Sequence, residues 1–197
     1  MSLQRIPHDT TKYKMNPVEL VNIGNRQRIG VITGSVTKVS PTMTANNAPN
    51  PYVVSSQSDY SASYPAWKAM DGVTDQDLGM WSSADNSISV PPWWKIDFGS
   101  NVMVDGYKLM GYYTNSTYPT AWTFYGSNDD SNWTQLDSRT TQTLPSGVLS
   151  DLYQFSNITT YRYYKITITA IYGLVTRAVI GEIELYKSIV YNNYIGA

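Results

Sequence analysis

Short runs in which large apolar side chains alternate with polar ones make up the chain from residue 52 onward. Alternation with a period of two places Tyr164, Ile166 and Ile168 on one face of a strand. By the same rule, Trp94 and Ile96 share a face. The runs are Tyr52–Ser55, Trp93–Phe98, Val102–Met110, Ala121–Gly126, Trp133–Leu136, Tyr161–Thr169 and Val179–Tyr186. Turn residues separate them and no helical spacing of useful length occurs, so the sequence predicts an all-β sandwich or barrel.

Composition excludes several classes of protein. The 197 residues include 17 Tyr, 6 Trp and 3 Phe, too many large rings for a disordered chain. No stretch approaches the roughly 20 apolar residues that a membrane-spanning helix needs. The chain has no Cys, and His8 is its one histidine, which argues against disulfides, thiolate zinc sites and histidine-based catalytic triads. With no phosphate-binding loop or nucleophile elbow either, we expect a protein that is not an enzyme.

The N-terminal quarter of the chain differs from the rest in its net charge and in its prolines. Residues 1–40 contain six Lys or Arg against two Asp or Glu, a net charge of +4, whereas the remainder carries −5. These basic residues are scattered rather than clustered, which favours contact with protein over nucleic acid. Prolines and small polar residues concentrate near Asn46–Pro51. We therefore predict an attachment arm at 1–45, a linker at 46–51, a β domain at 52–187 and a tail at 188–197.

Four segments in order have a recognisable pattern: AWKAMDG (66–72), WWKIDFG (93–99), PTAWTFYGSNDDSNWTQL (119–136) and YRYYKIT with IGEIELY (161–186). Together they resemble the discoidin family, also called coagulation-factor type C domains, whose bacterial relatives are galactose-binding-like carbohydrate-binding modules. The resemblance implies a jelly-roll β-sandwich of about eight strands with an extended N-terminal arm. It also implies ligand-binding loops at one end and a structural calcium ion nearby.

The acidic loop after Met70 is the candidate metal site. By resemblance, Asp71 and Glu182 supply side-chain ligands to Ca²⁺. The carbonyl groups of Ala69, Thr74 and Gly181 would complete the shell, since Ca²⁺ takes six to eight oxygens. The loop is longer than the family's, and Gly79 stands where the family has Thr. An Asp-rich turn capped by its own side chains is the alternative interpretation.

Three loops combine aromatic rings with amide, carboxylate or guanidinium groups, the mixture that holds a sugar's apolar face and its hydroxyls. By resemblance, Tyr172 is the ring that stacks on the sugar. The predicted glycan-binding residues are Asp59, Tyr60, Tyr64, Asp85, Asn86, Tyr112, Tyr113, Asn115, Tyr172 and Arg177.

The absence of a basic-then-apolar leader after Met1 and the Pro-punctuated arm suggest a bacteriophage virion protein, such as a capsid decoration, head-fibre, collar or tail component, assembled in the host cytoplasm. Residues 1–45 would bind other virion proteins, and the β domain would bind host-surface or mucus glycans in a multivalent homo-oligomer. We expect neither nucleic-acid binding nor membrane insertion. The alternatives are a structural cementing protein that binds no glycan, and a carbohydrate-binding module of a secreted or cell-surface bacterial glycosidase.

Overall fold

The computed structural model describes residues 18–23, 26–74, 79–84, 91–112, 117–173 and 177–194. Their elements are β1 (Val18–Ile23), β2 (Arg26–Lys38), β3 (Val53–Ser56), a 3₁₀ helix (Ala66–Met70), β4 (Trp81–Ser82), β5 (Trp93–Met103), β6 (Gly106–Met110), β7 (Pro119–Ser127), β8 (Thr134–Arg139), β9 (Tyr153–Gln154), β10 (Thr160–Ile171), β11 (Val179–Ile180) and β12 (Glu182–Tyr194). In this part of the chain no helix is long and apolar enough to cross a membrane. The predicted all-β class is confirmed.

The chain divides into two compact units. The smaller unit comprises residues 1–38 and 187–197. In it β1 and β2 form an antiparallel hairpin, with Val18 opposite Val31 and Ile23 opposite Arg26. The larger unit comprises residues 39–186 and contains the family-like segments.

Two antiparallel sheets form the layers of the larger unit. One has the strand order β3-β5-β10-β7-β8, and its register places Ile166 between Trp94 and Phe124. In the other, β6 pairs with β12 on one side and with β9 on the other. The two-residue strands β4 and β11 form a separate ladder.

The core lies between the two sheets. Its rings contact each other across the layers: Tyr107 of β6 stacks on Phe124 of β7 with centroids 4.7 Å apart. The faces predicted from alternation are confirmed, because Trp94, Ile96, Tyr164, Ile166 and Ile168 are all buried, as are Trp122, Leu109, Ile183 and Leu185. Burial of such apolar side chains is the main driving force for the fold.

The boundaries of the larger unit differ from those expected for an arm, a linker and a tail. The unit begins at Val39, and Met43 is 1% exposed in the core. The segment predicted as a linker is held in place, because the Asn46 carbonyl accepts a hydrogen bond from Val54 N (2.7 Å) and its side chain accepts one from Trp67 N (3.0 Å). Asn and Pro suit a tight packed loop as well as a linker, which is why composition was misleading.

Two further differences concern strand ends. The residues predicted as a C-terminal tail from 188 continue β12 to Tyr194. The predicted single run Val102–Met110 is two strands, because Val104 and Asp105 break the ladder between β5 and β6. There the Val104 N–H donates to the Tyr164 hydroxyl (3.1 Å).

Candidate functional site

A pocket of about 150 Å³ lies where three loops of the larger unit meet. We call it the aromatic pocket. Its lining residues are Tyr60, Tyr64, Met80, Ser82, Tyr112, Thr117, Arg177 and Val179. Four of them, Tyr60, Tyr64, Tyr112 and Arg177, belong to the set predicted from the sequence, and they come from three separate loops.

The short ladder of β4 and β11 positions the pocket. Ser82 of β4 lies opposite Val179 of β11. Backbone hydrogen bonds then attach the neighbouring loops: Tyr60 N donates to the Ser82 carbonyl (2.7 Å), and Val179 N donates to the Thr117 carbonyl (3.0 Å). Because these are main-chain contacts, they fix the loops without depending on the side chains that face a ligand.

Two tyrosines and one arginine form a contiguous wall. The Tyr60 and Tyr64 rings lie 6.1 Å apart at an angle of 44°. Cζ of Arg177 lies 4.2 Å from the centroid of the Tyr60 ring, within the range of a cation–π contact. Tyr60 is nevertheless 45% exposed. The wall therefore combines an accessible ring with a positively charged group.

Two hydroxyl groups in the pocket were missed by the sequence analysis. Thr117 is 3% exposed, and its Oγ1 has no hydrogen-bond partner among the described residues. The Ser82 hydroxyl donates to the Ser83 carbonyl (3.3 Å). The sequence analysis selected loops by their aromatic, amide and charged residues, and Ser82 and Thr117 are none of these. The nearest clue to Thr117 is its place beside Tyr118 in a predicted binding loop. A buried hydroxyl without a partner is costly, and a ligand atom could relieve that cost.

Asp59 is one of the predicted residues that does not line the pocket. Its Oδ1 accepts hydrogen bonds from Trp81 Nε1 (3.0 Å) and Ser56 Oγ (2.6 Å). Asp59 thus fastens the loop that carries Tyr60 to the buried indole of Trp81.

Tyr172 also lies outside the set of lining residues. It is 53% exposed and its ring stacks on Tyr118, with centroids 5.2 Å apart and planes 4° from parallel. Its backbone N–H donates to the Tyr118 carbonyl (3.0 Å). The remaining predicted residues, Asp85, Asn86, Tyr113 and Asn115, fall outside the described residues.

The two acidic side chains expected to hold a metal converge on one dipeptide. Gly72 N donates to Glu182 Oε2 (3.1 Å), and Val73 N donates to Asp71 Oδ1 (2.9 Å). Glu182 is 1% exposed. Burial raises the pKa of Asp71 above its usual value, although the hydrogen bond from Val73 and the charge of Lys68 oppose this.

The ligand set that the resemblance implies consists of oxygens alone, and Ca²⁺ prefers carboxylate and carbonyl ligands. Within the described residues there is no group of three or more His, Cys, Asp or Glu that could hold a metal. Backbone carbonyls would therefore have to supply most of the ligands. Gly79 fits the loop for a steric reason: a Cβ there would lie 2.7 Å from Val73 Cβ and 3.0 Å from Asp71 Oδ1.

Comparison with known proteins identifies a family for most of the larger unit. The model of the F5/8 type C domain family matches residues 53–180. The chain belongs to this family. Among curated proteins, no match is found for it.

Solved structures share the fold of this F5/8 type C domain. A chitosan-binding module from a Paenibacillus chitosanase/glucanase is 26% identical, with a TM-score of 0.54 over 68% of this chain and 94% of the module. The family 32 carbohydrate-binding module of Clostridium perfringens NanJ, solved with galactose, is 20% identical, with a TM-score of 0.56 over 69% and 93%. An F5/8 type C domain from Bacteroides fragilis is 15% identical, with a TM-score of 0.58 over 70% and 91%.

Proposed function

We propose that this F5/8 type C domain is a non-catalytic module that binds one sugar ring of a glycan in the aromatic pocket. The observation that carries the proposal is the convergence of Tyr60, Tyr64, Tyr112 and Arg177 from three loops on one pocket. Rings supply a stacking surface for the C–H face of a sugar, while guanidinium and hydroxyl groups bond its hydroxyls. The Paenibacillus and C. perfringens modules are described as binding chitosan and galactose, respectively, which supports this class of ligand.

The size of the pocket limits what enters it. A cavity of about 150 Å³ is large enough for a single six-membered ring such as benzene. The pocket would therefore take one sugar residue, and the rest of a glycan would extend into solvent.

A glycan array probed with the full chain tests the proposal. We expect binding that Tyr60→Ala abolishes, because this variant removes the exposed ring beneath Arg177. Tyr172→Ala is the matched variant at an exposed tyrosine outside the set of lining residues. Loss of binding in Tyr172→Ala with full retention in Tyr60→Ala would move the site to the Tyr118–Tyr172 stack. No binding by the folded wild-type protein would favour a purely structural role.

We also propose that Asp71 and Glu182, with the carbonyls of Ala69, Thr74 and Gly181, hold a structural calcium ion. The convergence of both carboxylates on Gly72 and Val73 supports this. The ion would neutralise two acidic groups and fix the loop that precedes Met80 of the aromatic pocket.

The proposed setting is a bacteriophage virion, to which residues 1–38, the part of the predicted arm that lies outside the larger unit, attach the domain through other virion proteins. The net charge of +4 in residues 1–40 supports a docking role for this segment. Multivalent display in a homo-oligomer would then convert weak single contacts into useful avidity. Mass spectrometry of purified particles, with deletion of residues 1–38 as the comparison because it leaves Met43 in the core, tests this setting against a module of a secreted or cell-surface glycosidase.

A further inference from the structure

The aromatic pocket becomes more buried from its rim to its floor. Tyr60 at the rim is 45% exposed. Four other lining residues are buried, and we call them the floor of the pocket: Met80, Ser82, Thr117 and Val179. Because Met80 and Val179 have apolar side chains, the polar side-chain groups of the floor are the hydroxyls of Ser82 and Thr117. Their hydrogen bonds decide what the floor can accept.

The two hydroxyls of the floor differ in their partners. Ser82 Oγ donates to the carbonyl of the next residue, Ser83 (3.3 Å). Thr117 Oγ1 has no hydrogen-bond partner among the described residues. Burial of a hydroxyl without a partner is unfavourable, because the group loses its hydrogen bonds to water. The hydroxyl of Thr117 is therefore a polar group that the described part of the domain buries without using.

Main-chain hydrogen bonds hold Thr117 in this position. Val179 N donates to the Thr117 carbonyl (3.0 Å), and Tyr172 N donates to the carbonyl of the next residue, Tyr118 (3.0 Å). A shift of the backbone that brought the hydroxyl to solvent would break these two bonds. Buried polar groups in native proteins nearly all have partners, so an exception in a pocket indicates a functional role.

From these contacts we infer that Thr117 is the specificity-determining residue of the aromatic pocket, and that its hydroxyl bonds one hydroxyl of the sugar and rejects sugars that lack it. The inference rests on the proposed function and names the group of the ligand that the pocket recognises. A threonine hydroxyl can donate and accept, and Met80 and Val179 can pack against C–H groups of the same ring. A site built to bond a hydroxyl rejects an analogue without it, because the buried group of the protein is then left without a partner.

A hydroxyl that serves the ligand rather than the fold has opposite effects on stability and on binding. Thr117→Val keeps the shape of the side chain and removes the hydroxyl. Without ligand, we expect this variant to keep the melting temperature of the full chain or to raise it by up to about 4 °C, because no internal hydrogen bond is lost. A lower melting temperature would show that the hydroxyl has a structural partner, and would contradict the inference.

The binding test uses galactose and glucose, each with its monodeoxy analogues, or another monosaccharide with its own analogues where the glycan array ranks that sugar first. Each sugar is titrated into the full chain and followed by NMR through the indole N–H of Trp81, which donates to Asp59 beside Tyr60. We expect the wild-type protein to bind one monodeoxy analogue about tenfold more weakly than its parent sugar. Thr117→Val should bind the parent about tenfold more weakly than wild type does, and should no longer distinguish the parent from that analogue.

Two further variants serve as controls. Ser146 Oγ is also buried without a partner among the described residues, but Ser146 does not line the pocket. Ser146→Ala should therefore keep or raise the melting temperature, as Thr117→Val does, and leave the affinity for every sugar unchanged. Thr117→Ser keeps the hydroxyl and should keep the distinction between the parent sugar and the analogue.

The outcomes separate this inference from the proposed function. If folded Thr117→Val binds the parent sugar as tightly as wild type, or still rejects the same analogue, Thr117 does not determine specificity, and glycan binding in the pocket remains. If the wild-type protein binds every monodeoxy analogue as tightly as the parent, the inference is wrong in the same way. Failure of the wild-type protein to bind any parent sugar, together with a blank glycan array, would overturn both proposals.

Discussion

A chain of side-chain hydrogen bonds connects the two sheets of this domain. Trp122 Nε1 donates to the Tyr107 hydroxyl (2.6 Å), which in turn donates to Asp137 Oδ2 (2.7 Å). Arg139 Nε donates to the same carboxylate oxygen (2.8 Å). Alternation predicts that Trp122 faces inward, but it does not reveal the hydroxyl on another strand that satisfies the indole. Such partners depend on how the layers stack, which no local pattern encodes.

Removing that hydroxyl should be costly. We expect Tyr107→Phe to lower the free energy of unfolding by about 1–3 kcal/mol, because it leaves the Trp122 indole and Asp137 without their shared partner. Urea denaturation measures the change. Tyr172→Phe removes a hydroxyl from an exposed ring and serves as the control. Equal stability of Tyr107→Phe and wild type would show that the chain of contacts contributes nothing.

The ion pair between Asp97 and Arg162 should make the stability of the folded state depend on pH. Burial alone would raise the pKa of Asp97, but hydrogen bonds from Arg162 (2.7 and 2.8 Å) and from Gly99 N (2.7 Å) outweigh it and lower the pKa. A lowered pKa in the folded state gives stability that is present above the ordinary pKa of 3.8 and is lost as pH falls through the folded value.

Asp97→Asn should therefore be less stable than wild type at neutral pH. The gap between their melting temperatures should narrow as pH falls from about 5 to about 2. Thermal unfolding followed by circular dichroism checks this, with Asp151→Asn as the change at an exposed carboxyl. A gap that stays constant over this pH range would contradict the assignment.

At the scale of elements, the sequence predicts most strands and misses the small ones that build the site. The runs at 93–98, 121–126 and 161–169 lie within β5, β7 and β10, because each has enough alternating residues to show a period. β4 and β11 have two residues each, too few for any periodicity, yet they carry the pocket. The aromatic residues of the loops could therefore be identified from the sequence, whereas the ladder that brings these loops together could not.

The loop around Asp71, where we propose a structural calcium ion, is the element whose stability should respond to a ligand. We expect added Ca²⁺ to raise the melting temperature of the wild-type protein, since a ligand that binds the folded state alone stabilises it. Asp71→Asn should abolish this shift, whereas Asp151→Asn should keep it. Addition of EDTA should reverse the effect. If neither Ca²⁺ nor EDTA changes the melting temperature of the wild-type protein, a structural calcium ion is excluded.

Close packing within a sheet gives a second element-scale prediction. A Cβ at Gly126 of β7 would lie 2.5 Å from the ring of Tyr161 in β10. Gly126→Ala should therefore lower the free energy of unfolding by about 1–3 kcal/mol, the usual cost of overpacking. In a double-mutant cycle measured by urea denaturation, Tyr161→Ala should remove most of that cost. Strict additivity of the two changes would show that the ring is not the obstacle.

At the scale of the whole molecule, the fold class followed from the sequence, but the limits of its units did not. The larger unit reaches back to Val39 because Met43 fills the core and Val39 N donates to the Leu185 carbonyl (2.8 Å). Composition marked residues 46–51 as a linker, since it cannot distinguish a packed loop rich in Asn and Pro from an extended one. Contacts over long sequence separations set domain limits, and a single sequence does not contain them.

Two fragments test that limit. A fragment of residues 39–186 should unfold in one cooperative transition, whereas a fragment of residues 52–186 should be less stable by about 2–5 kcal/mol, the cost of removing a large buried side chain such as that of Met43. Guanidinium denaturation of both fragments measures the difference. Equal denaturation midpoints for the two fragments would place the start of the larger unit near residue 52.

The ladder of β4 and β11 separates the demands of recognition from those of stability. Its main-chain bonds hold the loops by backbone atoms, while Tyr60 of the pocket wall is 45% exposed. Substitution of a lining tyrosine or arginine would then change the shape and charge of the pocket without removing the main-chain bonds that hold its loops together.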